Sequence, residues 1–152
     1  MAVVWFTPED QELIIDAFKC VLAGVNAPAE FNWSLDSFIE EAKHSKILTY
    51  KVKQKTCAFI LFREQPENLE IIVLATDPVD RKKSCMCDLM TFLKVYAAQQ
   101  GKTIRLEVHQ KNATAIRFYE KHAFEISRVR KNYYHDGGDA REYIWKKHPQ
   151  PK

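Results

Sequence analysis

The first apolar cluster along the chain, "VVWF" at 3–6, has the length and composition of a short strand. Thr7 and Pro8 then supply a helix cap and a first-turn proline. Behind them Leu13, Ile14, Ala17, Phe18, Val21 and Leu22 recur at helical spacing. "NAPAEFNW" (26–33) interrupts the pattern as a loop, and Ser34 is placed to cap a second helix with the apolar stripe Leu35, Phe38, Ile39 and Ala42. The period then shortens. Three strand segments follow: "KILTYKV" (46–52), "TCAFILF" (56–62) and "LEIIVLAT" (69–76). The third is almost continuously apolar, the pattern of a central strand covered on both faces, and Asp77-Pro78 stops it.

A helix to about Gln100 comes next, with Leu89, Phe92, Leu93, Tyr96 and Ala97 expected inward and Gly101 as its stop. "TIRLEVH" (103–109) alternates as a strand does, with Ile104, Leu106 and Val108 on one face and Arg105, Glu107 and His109 on the other. Asn112 begins a shorter helix to about His122. "FEISRVR" (124–130) is a strand, and "EYIWK" (142–146) is the last one, after the polar loop "KNYYHDGGDA". The order β-α-α-β-β-β-α-β-α-β-β interleaves strands and helices, which predicts an α/β (α+β) fold with one mixed sheet. No repeat or linker divides the 152 residues, a length suited to a single domain with one core.

Composition narrows the class only a little. Hydrophobic residues make up 46% and charged residues 28%, a globular balance that excludes long disorder. No apolar run approaches the roughly 18–20 residues of a membrane span, and "MAVVWFTPEDQ" lacks the shape of a signal peptide, so a soluble cytoplasmic protein is expected. The net charge of +3 suits weak attraction to an anionic ligand and is too small to argue for nucleic acid. Cys20, Cys57, Cys85 and Cys87 form no CxxC pair and have no spaced histidine partners, so reduced thiols are expected and no metal.

Four segments carry chemistry. "ATDPVDRKKSCMCDLMTFL" (75–93) runs from a strand end into a helix, whose free N–H groups and dipole suit a phosphate. Glycine usually keeps such a turn clear of side chains. Here Arg81, Lys82 and Lys83 add positive charge, Ser84 adds a hydroxyl, and Cys85 and Met86 complete the turn. By itself the window reads as an anion-binding turn or as a solvated basic turn. In "NATAIRFYEKHAF" (112–124), Asn112, Ile116 and Tyr119 share one helix face, with Asn112 and Tyr119 roughly 10 Å apart along the axis. They are either two contacts for a long ligand or a helix cap and a half-buried aromatic. Glu107 lies between Arg105 and His109, as part of a surface charge ladder or as a base, with His109 as a rival base. "RKNYYHDGGDA" (130–140) presents Tyr133 and Tyr134 beside basic residues and paired glycines. It reads as a binding loop or as a hairpin.

In this order the segments resemble the GNAT superfamily of N-acetyltransferases, and within it the RimI-like family of ribosomal-protein-alanine N-acetyltransferases. "FNWS" (31–34) is similar to that family's F-P-W-S, and "ATDP" (75–78) to its A-V-D-P. "LEVHQKNATAIRFYEKHAF" (106–124) resembles L-E-V-R-x-S-N-x-x-A-x-x-L-Y-x-x-x-G-F, and "RKNYYHDGGDA" resembles R-x-N-Y-Y-x-x-x-x-x-D-A with a slightly shorter loop. The resemblance implies a single-domain fold of about four helices and a mixed sheet of six to seven strands, splayed between the fourth and fifth. It implies acetyl-CoA as co-substrate, with the pantetheine arm against the main chain of Leu74, Ala75 and Thr76 and the pyrophosphate over Arg81 to Met86. Asn112 matches a further cofactor contact. Glu107 matches the general base, Tyr119 the general acid, and Tyr133 and Tyr134 a loop beside the acceptor. The acceptor implied is a protein N-terminal amine, with a ribosomal protein as one candidate; the expectations of no metal, no membrane and no nucleic-acid partner rest on composition and charge.

Two departures stand out. Where the family has Q/R-x-x-G-x-G/A, this chain has "RKKSCM" (81–86), with Ser84 and Met86 at the glycine positions, and Ala123 replaces a glycine before Phe124. They keep a second reading open, a degenerate GNAT pseudoenzyme used as a protein-binding module. An acetyltransferase for small amines is a third.

Overall fold

Short runs rich in β-branched and aromatic residues, closed by caps and turns, build a seven-stranded sheet in the order β1-β2-β3-β4-β5-β7-β6. The computed structural model describes residues 2–6, 34–52, 55–76 and 84–147, with the backbone alone at 2–6, 52 and 55. In chain order the elements are β1 (Ala2–Phe6), α1 (Leu35–Lys43), β2 (Lys46–Val52), β3 (Lys55–Glu64), β4 (Asn68–Thr76), α2 (Cys85–Gln99), β5 (Thr103–His109), α3 (Ala113–Lys121), β6 (Glu125–Arg130) and β7 (Ala140–Trp145). The helix expected after Pro8 and the basic run Arg81–Lys83 lie outside the described residues. No helix among the described residues is long and apolar enough to cross a membrane.

β1 to β4 pair antiparallel in succession, β4 and β5 pair parallel, and β7 lies antiparallel between β5 and β6. The sheet is therefore mixed, and β4 is its central strand, as its apolar run predicts. One face carries the larger core, in which Ile60, Phe62, Leu69, Ile104, Leu106 and Tyr143 meet Leu89, Met90 and Leu93 of α2 and Ile116 and Tyr119 of α3. The other face packs Phe59, Leu61 and Ala75 against Phe38 and Ala42 of α1. Phe38 meets Phe59 edge-on at 6.0 Å.

The helix ends follow the expected chemistry. Ser34 Oγ accepts from Ser37 N–H at 3.1 Å and Asn112 Oδ1 from Ala115 N–H at 3.2 Å, so each caps its helix. Gly101, just after α2, takes φ +67°, a conformation that costs glycine little. One residue expected inward faces outward instead. Phe92 is 38% exposed, because the buried stripe of α2 runs through Met86, Leu89, Met90, Leu93 and Ala97. At 100° per residue, Phe92 falls about 120° from the centre of that stripe.

Candidate active site

The sheet opens at its middle. β4 and β5 pair only at Asn68↔Thr103, Leu69↔Ile104 and Glu70↔Arg105, and then part. Over the rest of β4 the opposite edge stays paired with β3, through Ala58↔Thr76, Phe59↔Ala75 and Ile60↔Leu74. Leu74, Ala75 and Thr76 thus turn one main-chain edge toward the gap, and among the described residues no strand covers it. Backbone N–H and C=O groups seek partners, so this edge suits a ligand that carries amides.

α2, the next described element after β4, begins at Cys85. Ser84 precedes its first turn with φ +59° and ψ 15°, a left-handed conformation that favours glycine, and its side chain does not cap the helix. Cys85 is 1% exposed and Met86 8%, both within the core with Leu89 and Met90. The Met86 side chain is directed inward, away from the surface of the turn. The first-turn amides keep the positive end of the helix dipole.

On the α1 side of β5, Glu107 sits in a charged lattice that the strand register assembles. Glu107 is opposite Glu142 of β7, which in turn is opposite Arg128 of β6. Arg105 and Arg128 lie 3.3 and 3.7 Å from the Glu142 carboxylate, and Arg130 Nε lies 3.1 Å from Glu107 Oε1. That last N–H is not aligned for a hydrogen bond, so the contact is Coulombic. Tyr133 completes the group. Its ring lies 5.5 Å from the Arg130 guanidinium, and the Glu107 charge, helped by desolvation, pushes the phenol pKa above its ordinary value.

His109, two residues along the same face, is 1% exposed. Its Nδ1 accepts from Lys111 N–H at 3.0 Å, and its Nε2 lies 3.0 and 2.8 Å from the two Asp136 carboxylate oxygens. With Nδ1 accepting, the ring proton sits on Nε2 and is donated to Asp136. Both nitrogens are engaged within the protein. The ring also stacks on Tyr134 at 4.8 Å.

Tyr119 lies on the opposite face of the sheet. It is 6% exposed, with ring centroids 5.8 Å from Phe118, 5.7 Å from Phe124 and 6.3 Å from Tyr143, and Tyr143 is the cross-strand partner of Leu106. Asn112 and Tyr119 share α3, as their spacing predicts, with Asn112 serving as its cap. The structure therefore gathers Glu107 and Tyr133 on one side of β5, with Tyr134 stacked behind them on His109, and Tyr119 on the other side. Leu74–Thr76 and Ser84–Met86 line the opening and the turn beyond it. Sequence reasoning missed Arg130 as the Glu107 partner and Asp136 and Gly138 as the His109 partners. The "HDGG" run was the available signal, since adjacent glycines beside a polar pair often mark a close backbone approach.

A surface concavity of about 540 Å³, lined by Ser37, Glu40, Glu41, His44 and Arg63, lies between α1 and β3 and includes none of these residues. Among the described residues no three His, Cys, Asp or Glu side chains are grouped to hold a metal ion.

The sequence matches the acetyltransferase (GNAT) family over residues 11–124. Comparison with curated proteins by sequence gives no match. Among solved structures, the chain is similar to the ribosomal-protein-S18-alanine N-acetyltransferase from Escherichia coli, with TM-score 0.80 and 22% identity over 99% of both chains. It is also similar to aminoglycoside 6'-N-acetyltransferase complexed with coenzyme A, with TM-score 0.79 and 18% identity over 100% of both chains. A chain of the NatC complex bound to Gag peptide and CoA gives TM-score 0.75 and 17% identity, covering 97% of this chain and 100% of that one. At such identities the likeness is one of fold.

Proposed function

The chain belongs to the acetyltransferase (GNAT) family, and on that premise we propose that it transfers an acetyl group from acetyl-CoA to the N-terminal amine of a protein. The observation that carries this reading is the uncovered main-chain edge of Leu74–Thr76, where β5 departs from β4 after Glu70↔Arg105. An amide-bearing pantetheine arm fits such an edge as an added strand. The turn at Ser84–Met86, with Arg81, Lys82 and Lys83 before it, is the place for the pyrophosphate. The buried position of Met86 supports that placement, because main-chain amides bind the phosphates and the long side chain lies in the core. The Asn112 side chain, at the start of α3, is the further cofactor contact.

Bound acetyl-CoA supplies an acetyl thioester activated for attack. The residues of this chain move the protons. Glu107 takes one from the incoming ammonium, so that the neutral amine nitrogen forms the new C–N bond. As the C–S bond breaks, Tyr119 Oη gives a proton to the departing sulfur. The nitrogen loses a second proton once the C–N bond has formed, which makes good the one Tyr119 gave to sulfur. The net release is the single proton taken by Glu107 and passed to solvent. His109, with both nitrogens engaged, is the weaker choice of base.

The acceptor side favours a peptide. Tyr133 and Tyr134 stand edge-on at 5.2 Å beside Glu107 and form an aromatic wall along which an extended N-terminus can lie. Calorimetric titration with acetyl-CoA, followed by acetylation assays on alanine-initiated peptides, aminoglycosides and polyamines, tests the reading. Saturable binding and peptide turnover are expected. Absence of heat and of a thermal shift at millimolar acetyl-CoA would overturn the transferase and leave a protein-binding pseudoenzyme. Turnover confined to small amines would overturn the acceptor.

A further inference from the structure

His109 has a buried, fully engaged ring at the end of β5, beside the position where a base is expected. Lys111 N–H, just beyond β5, donates to its Nδ1, and three further partners come from the loop between β6 and β7. Asp136 carboxylate oxygens lie 2.8 and 3.0 Å from Nε2, Tyr134 stacks on the ring with planes 27° apart, and Gly138 packs against the ring edge. A Cβ at Gly138 would meet His109 Nε2 at 2.3 Å, Cε1 at 2.5 Å and Asp136 Oδ1 at 2.9 Å, so only glycine permits this approach. Asp136 Oδ1 also accepts from Gly138 N–H at 2.8 Å, which ties the acid and the glycine into one turn.

A loop with paired glycines and polar flanks has much backbone freedom to lose. Three further contacts remove it: Gln110 N–H donates to Asp139 C=O and Asn132 N–H to Asp139 Oδ1, each at 3.0 Å, and Tyr134 N–H donates to Gly138 C=O at 3.1 Å. The contacts continue outward from the buried ring. Tyr134 meets Tyr133 edge-on at 5.2 Å, and Tyr133, 51% exposed, lies over Arg130 and within the field of Glu107.

We propose that His109, Asp136 and Gly138 form a latch that presets the Tyr133–Tyr134 wall beside Glu107, which makes His109 a positioning residue for the acceptor. This rests on the reading of that wall as the acceptor site. A polar latch suits the task because its hydrogen bonds are directional, whereas an apolar plug would anchor the loop without fixing the angle of the rings. The latch lies on the acceptor side of β5, apart from the β4 edge and from the α2 turn. Its loss therefore acts on one substrate and not on the other.

Steady-state kinetics against an N-terminal peptide and acetyl-CoA provide the test. Removing both acceptors from a buried imidazole N–H in Asp136→Ala is expected to raise the peptide KM about tenfold. The acetyl-CoA KM and kcat should stay within about twofold. Asp136→Asn keeps an oxygen for Nε2–H and is expected to recover most of the loss, and Gly138→Ala should reproduce Asp136→Ala. A loop that merely stabilised the fold would lower the melting temperature in all three variants and leave the peptide KM alone. If the wild type acetylates and the peptide KM is unchanged in Asp136→Ala, the latch is wrong while the proposed function stands. If the wild type neither binds acetyl-CoA nor acetylates any amine, the proposed function fails and takes the latch with it. Should Gly138→Ala not fold, the two Asp136 variants decide.

Discussion

Glu107 and Tyr119 stand on opposite sides of β5. Glu107 shares its face with Arg130 and Tyr133, while Tyr119 packs in the core that holds Leu106, Val108 and Tyr143. Strand alternation places them so, and the arrangement has a chemical consequence. On the proposed roles, an acceptor reaching the gap from one side and a cofactor thiol within it would meet a carboxylate and a phenol from different directions, so that neither proton carrier blocks the other.

Removing either carrier should separate binding from turnover. Glu107→Gln is expected to lower kcat about 100-fold or more, the usual scale for a positioned base, with acetyl-CoA affinity unchanged in calorimetry. Tyr119→Phe should behave likewise. A Tyr119→Phe enzyme as fast as wild type would remove the phenol from the mechanism.

Met86 discriminates a working turn from a degenerate one. With its side chain 8% exposed in the main core, Met86→Gly should destabilise the protein by about 3 kcal/mol in urea unfolding and leave acetyl-CoA affinity no better. A large gain in affinity would mean that the side chain obstructs the turn in solution.

Three described residues other than glycine take positive φ, Ser84, Ala123 and Asn132, and for the first two glycine would be easier. Ala123 follows the cap of α3 with φ +66° and Ser84 precedes α2 with φ +59°. Ala123→Gly is expected to stabilise by about 1 kcal/mol, since the left-handed penalty outweighs the added chain entropy. Ser84→Gly should do the same without loss of acetyl-CoA binding. Chemical denaturation of each variant measures both, and a lower midpoint for Ala123→Gly would contradict the assigned backbone.

Glu64 gives the acid limb of stability. Burial raises its pKa, but Lys102 at 2.8 Å and Lys46 and the Tyr96 hydroxyl at 2.5 Å outweigh this and hold it at about 2, against an ordinary 4.5. The folded value lies below the unfolded one, so the contribution is complete above about pH 4.5 and is lost as the pH falls toward 2. Solvent screening at this partly exposed group limits it to about 1 kcal/mol. Glu64→Gln should flatten the decline in stability between those pH values by about that amount.

Much of the fold was legible because the signals are local. "KILTYKV" and "TIRLEVH" become β2 and β5 at the expected bounds, the second because period-two alternation has one simple structural solution and the first because it is a short apolar run rich in β-formers. Ser34 and Asn112 cap their helices because a short polar side chain at a helix start finds a bare N–H three residues on. Phe92 shows the limit: its helix was legible, but the angle at which that helix meets the sheet was not.

By itself, then, the chain determined its described elements, their order and the caps of α1 and α3, all of which depend on neighbours within a few residues. The rest depended on long-range packing. The family resemblance implied a splay between β4 and β5, and the structure set it after Glu70↔Arg105, buried Met86 in the core and placed Arg130 against Glu107. It also gave His109 to Asp136, a partner 27 positions away. The physical reason is that a side chain's role follows from what surrounds it in space, and residues distant in sequence supply those surroundings.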